Sequence, residues 1–140
     1  MKLRVSTLLV LGGTAAGLSF SSLPAKDAPS PKATQKLAQA LQGRTAGQPV
    51  PCIANLRGGA KMSVIDDTTI LFREGSTVYV QKPAGGCPSL GNGRYALVKR
   101  QVGSTRYCEG DIGEVVDPVS GFFAGSCVFG PFVPYRKAAL

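Results

Sequence analysis

Four cysteines and no histidine set the chemistry open to this 140-residue chain. Without an imidazole, a Ser-His-Asp or Cys-His nucleophile system has no base near neutral pH. Cys52, Cys87, Cys108 and Cys127 lack the close C-x-x-C pairs of a zinc site, and no histidine can complete a mixed ligand set. Oxidation in pairs to two disulfides is therefore expected, with no metal and no cofactor. Four cysteines allow three connectivities, and spacing alone leaves all three open. The nested set, Cys87–Cys108 with Cys52–Cys127, is preferred because it closes one short loop and ties the ends of the domain together. Each bridge would contribute about 2–4 kcal/mol by restricting the unfolded chain.

The close acidic pairs are Asp66/Asp67 and Asp111/Glu114. A glycoside hydrolase needs two carboxylates facing one cleft, but the first pair falls where a hairpin turn belongs and the second in a turn after Gly110. No catalytic residue is expected, and the chain is read as non-enzymatic. Gly91-Asn92-Gly93-Arg94-Tyr95-Ala96 has the G-x-G-x-x-A form of a dinucleotide fingerprint. That motif needs a strand before it and a helix after it, whereas 83–90 reads as loop and 95–101 as strand.

Charge is the remaining chemical signal, at a formal +8. Arg94, Lys99, Arg100 and Arg106 gather on one expected hairpin beside Tyr95 and Tyr107, and are the candidate ligand-binding residues for an anionic partner. Strand alternation puts Arg94, Ala96, Val98 and Arg100 on one face and Tyr95, Leu97 and Lys99 on the other, so these charges are divided. A plain solvated face, with edge cations that discourage aggregation, is the competing reading.

The elements that must hold these groups follow from periodicity. Residues 1–25 have the layout of a cleavable export signal: Lys2 and Arg4, an apolar run from Val5 to Leu11, a small-residue continuation, and Ala25 at the cut. The run is too short and too polar to span a bilayer, so no transmembrane anchor is expected after cleavage. Removing Lys2 and Arg4 with it lowers the formal charge to +6. Residues 26–32, rich in proline, read as a disordered leader. Residues 33–43 read as a short amphipathic helix with Leu37, Ala38 and Leu41 on one face and Gly43 as the stop.

From 50 to 135 the spacing predicts a mainly β domain of about seven short antiparallel strands, closed as a small barrel or sandwich. Those strands fall near 52–56, 62–65, 69–73, 77–81, 95–101, 105–108 and 113–117, with an extended segment at 126–132. In Thr77-Val78-Tyr79-Val80-Gln81 the alternation sets Val78 and Val80 opposite Tyr79. Phe122, Phe123, Phe129, Phe132 and Tyr135 are expected to form an aromatic core cluster, with an exposed docking patch as the alternative.

Cys52-Ile53, Val64-Ile65-Asp66-Asp67-Thr68-Thr69-Ile70, Tyr79, Cys87-Pro88-Ser89-Leu90, Tyr107-Cys108-Glu109-Gly110-Asp111 and Gly125-Ser126-Cys127-Val128-Phe129-Gly130-Pro131-Phe132 together resemble a family of small exported proteins of Gram-negative bacteria. That family is catalogued only as a domain of unknown function. The resemblance runs from about Val50 to Tyr135, and the four cysteines with their neighbours are its most specific part. It implies a periplasmic or secreted location and a cysteine-bridged β domain, and it brings no catalytic residues. Some members carry a lipid anchor, and the cysteine that would hold one has no counterpart before Cys52.

Two functions remain open. One is a non-enzymatic envelope module, binding or structural, that associates with anionic envelope components or an envelope protein through the 94–106 hairpin. The other is a protein inhibitor of an envelope-directed enzyme, acting through a protruding loop at 83–93. Export makes nucleic acid an unexpected partner.

Overall fold

The computed structural model describes residues 28–54, 60–100 and 103–138. The expected export signal, the first residues of the leader and the end of the first expected strand lie outside them.

Helix α1 runs Pro31–Leu41, two residues earlier than periodicity suggests. Ser30 caps it, its Oγ accepting from Ala33 N–H at 3.1 Å, and Pro31 takes the first position, where a missing N–H costs nothing. The supposed disordered leader thus ends inside a capped helix. Ala33, Leu37, Ala40 and Leu41 pack on Ile65, Leu71, Val78, Val80 and Tyr135.

That apolar bed is one face of a five-stranded antiparallel sheet. Its members are β1 (Arg44–Ala46), β3 (Lys61–Asp66), β4 (Thr69–Glu74), β5 (Thr77–Gln81) and β10 (Phe132–Lys137), in the order β1-β10-β5-β4-β3. The opposite face carries Ile70, Phe72 and Phe132 into a second core. The expected alternation in β5 holds, with Val78 and Val80 toward the helix and Tyr79 toward the second core.

Two small sheets cover that second face. β2 (Cys52–Ala54) pairs with β7 (Arg106–Cys108), and β8 (Ile112–Val116) lies between β6 (Ala96–Val98) and β9 (Phe123–Val128). Ile53, Leu97, Val115 and Phe129 complete the core around Phe72, whose ring centroid lies 5.3 Å from Tyr107, 6.0 Å from Phe129 and 5.5 Å from Phe132. A buried phenylalanine contributes about 1.5–3 kcal/mol, so this aromatic centre is the main apolar anchor of the three sheets.

The antiparallel, mainly β class is as expected, but ten strands rather than about seven are present among the described residues, and the sheets do not close into a barrel. Two of the differences have local causes. β1 has no alternating apolar pattern and exists because Arg44–Ala46 adds to the exposed edge of β10. The supposed segment at 126–132 is the end of β9 and the start of β10, separated where Gly130-Pro131 breaks the run.

The disulfides join Cys52 to Cys108 and Cys87 to Cys127. The preferred nested pairing is therefore incorrect, and the two loops interleave. The reason lies in β2–β7 pairing, which makes Cys52 and Cys108 direct cross-strand neighbours with Cα atoms 4.0 Å apart. Cys127 on β9 in turn holds the 83–93 loop through Cys87.

Candidate functional site

The acidic pair at the β3–β4 turn is committed to structure. Asp66 Oδ1 accepts from the N–H of Thr68 at 2.8 Å and from its hydroxyl at 2.9 Å, a self-contained turn motif. Asp67 reaches across to the next loop: its Oδ1 accepts from Gly91 N–H at 2.5 Å and its carbonyl from Cys87 N–H at 2.6 Å. Gly91 passes so close that an added Cβ would lie 2.8 Å from the Asp67 nitrogen. Its glycine thus serves packing between two turns. With Cys87 and Leu90 buried, the 83–93 loop is clamped at its centre instead of standing free as a protruding inhibitory loop would. A cleft of about 560 Å³ lies over this clamp, bordered by Pro29, Asp66, Asp67, Gly86 and Pro88.

The four basic residues are distributed over two sheets. Lys99 turns inward, with its side chain 10% exposed, and donates to Asp111 Oδ2 and to the Arg106 carbonyl at 3.1 Å. Asp111 also accepts from Cys108 N–H at 2.6 Å. Partial burial works against its charge, yet the Lys99 hydrogen bond and the Cys108 N–H outweigh that effect and hold its carboxyl below the ordinary value. The Lys99 ammonium lies 5.2 Å from the centroid of the Tyr107 ring, and burial raises the phenol of Tyr107. Lys99 is thus a clasp between β6, β7 and the turn before β8.

Arg94 and Arg100 flank β6 and are largely exposed. Arg94 Nε meets Asp117 Oδ2 at 3.4 Å and Arg100 Nε meets Glu114 Oε2 at 3.5 Å. The arginine side chains themselves are 72% and 81% exposed, so both guanidinium groups can also meet an anion from solvent, although Asp117 is only 11% exposed. Arg106 lies on β7, opposite Ala54. The expected 94–106 hairpin does not form, because β6 pairs with β8 and β7 with β2, so there is no single cationic stripe; its exposed cations are Arg94 and Arg100, which flank β6, and Arg106 on β7.

Beside them lies a feature that the sequence left undecided. Phe122 and Phe123, two members of the expected aromatic core, are 68% and 56% exposed, and Val119 is 96% exposed. They form the tip of the β8–β9 hairpin, which is tightly built. Asp117 N–H donates to the Phe122 carbonyl at 2.8 Å, Gly121 N–H to the Asp117 carbonyl at 2.8 Å, and Asp117 Oδ1 accepts from Val119 and Ser120 N–H at 2.9 and 3.1 Å. The N–H groups of Ser120 and Val119, with the Arg94 guanidinium, hold the Asp117 carboxyl below its ordinary value. Alternation puts Ile112, Val128 and Val98 exposed on the outer face of the three-stranded sheet, with Glu114 and Ser126 on the same face between Ile112/Val128 and the tip.

No family model, curated protein or solved structure matches this chain. Among the described residues, no helix is long and apolar enough to cross a membrane.

Proposed function

We propose that the protein is an exported, non-enzymatic module of the bacterial envelope that docks on an anionic lipid surface through the β8–β9 tip. The observation that carries this reading is the exposure of Val119, Phe122 and Phe123 together on a rigid turn whose base holds Arg94. Full burial of such a side chain is worth about 1.5–3 kcal/mol, and a cation near an anionic bilayer adds about 1 kcal/mol. Apolar insertion combined with basic contacts is the arrangement of an interfacial anchor. Because the turn is already hydrogen-bonded, little ordering entropy opposes docking. The two disulfides support residence in an oxidising compartment, and the resemblance to exported Gram-negative proteins points the same way. The same observation refines the anionic-component expectation from any acidic polymer to a surface with both charge and hydrocarbon.

Co-sedimentation with vesicles tests it. The protein is expected to bind phosphatidylglycerol-containing vesicles, to bind pure phosphatidylcholine vesicles at least tenfold more weakly, and to lose at least tenfold in affinity as the double variant F122S/F123S. Binding of that variant at wild-type strength would overturn the reading.

A further inference from the structure

On the other side of the molecule, between α1 and the five-stranded sheet, lies a cleft of about 240 Å³. Its apolar surface is made by Ile65, Leu71 and Val78 from the sheet and Ala40 from the helix. Three cations, Lys36, Lys61 and Arg73, border it, and among the described residues its lining holds no carboxylate.

The placement of two of these cations works against stability. Lys61 on β3 and Arg73 on β4 are direct cross-strand partners, and like charges opposed in that way repel. β3 is the edge of its sheet, where a lysine discourages strand addition. Arg73 has no such explanation, because β4 is paired on both sides. Lys36 completes the rim from the helix, its Nζ donating to the Val64 carbonyl at 2.5 Å.

We infer that this cleft is a binding site for a small amphiphilic anion, a phosphate or carboxylate bearing a short hydrocarbon group. The head lies between Lys61 and Arg73 and relieves their repulsion, while the hydrocarbon lies in the cleft against Ala40 and Met62, above the buried Leu71 and Val78. The inference is independent of the docking tip, which belongs to a different sheet.

Titration calorimetry with hexyl phosphate is the test, with inorganic phosphate and hexanol as the two half-ligands. Saturable binding of hexyl phosphate is expected, with each half-ligand at least tenfold weaker and with a tenfold or greater loss in Lys61→Ala and in Arg73→Ala. The thermal midpoint of each unliganded variant should equal or exceed that of the wild type, since a repulsion has been removed. F122S/F123S should retain full hexyl phosphate affinity. Absence of saturable binding, equal binding of inorganic phosphate or hexanol, or unchanged affinity in the K61A/R73A double variant would overturn the inference.

Discussion

Lys99 and Asp111 form a half-buried ion pair beneath the Tyr107 ring, and the pair joins the end of β6 to the turn that launches β8. Its partner atoms are already hydrogen-bonded to backbone, Lys99 to the Arg106 carbonyl and Asp111 to Cys108 N–H. Removing one member therefore strands the other in a poorly solvated place. Asp111→Asn is expected to destabilise the fold by about 1–3 kcal/mol, read by urea denaturation at neutral pH.

The same carboxylate gives a pH signature. Its folded pKa lies below the unfolded one, so its contribution is present above the ordinary carboxylate range, about pH 4, and is lost as pH falls through the folded value. The stability difference between wild type and Asp111→Asn should accordingly be constant from neutral pH down to about pH 5 and shrink below about pH 4. A difference independent of pH across that acid range would show that the charge on Asp111 does not contribute.

Gln81 offers a test in the opposite direction. Its side chain is fully buried beside Ile70 and Phe132, its strand neighbours, and both its amide nitrogen and its oxygen lack a hydrogen-bond partner among the described residues. An unsatisfied buried amide costs about 1–3 kcal/mol. Gln81→Met, nearly equal in volume, is expected to raise stability by about 1–2 kcal/mol, seen as a higher denaturation midpoint at unchanged slope.

Each disulfide closes a long loop, with sequence separations of 56 and 40. Chain-entropy reasoning assigns about 4 kcal/mol to each. Replacing Cys52 and Cys108 together by alanine should cost an amount within about 1 kcal/mol of that for the Cys87/Cys127 pair. Peptide mapping without reductant should recover 52 linked to 108 and 87 linked to 127.

Gly91 tests the clamp under the 83–93 loop. An added methyl would approach the Asp67 nitrogen at 2.8 Å and the Asp66 Cα at 2.9 Å, both backbone atoms that cannot rotate away. Gly91→Ala is expected to cost about 1–3 kcal/mol by overpacking and to increase amide exchange at Cys87, whose N–H bonds to the Asp67 carbonyl.

Local signals in this chain were readable where one element satisfied itself. The β3–β4–β5 meander follows from the apolar alternation of 62–81 and from Asp66, whose short polar side chain closes the turn within its own few residues. Pairings between distant segments carried no such mark. β2 meets β7 across more than fifty residues, and with that contact hidden the cysteine partners could not be chosen. β1 shows the same limit, because its order comes from the edge of β10 and not from its own residues.

At the candidate sites, residue type was legible and accessibility was not. Phe129 and Phe132 entered the core as their apolar rings suggest, while Phe122 and Phe123 went to a tip that Asp117 organises. Lys99 was legible as a cation but not as an interior clasp, since its partner Asp111 lies twelve residues on, in the turn before β8. The cleft cations Lys61 and Arg73 were missed because their opposition depends on strand register.

The interleaving of Cys52–Cys108 with Cys87–Cys127 has a consequence for resistance to proteolysis. A protease that cuts any single peptide bond between residues 53 and 126 releases no fragment, because every such cut leaves the two pieces joined by one bridge or both. A nick at the exposed turn near Gly103 would be spanned by both. Damage there would leave a two-chain molecule whose sheets remain in register.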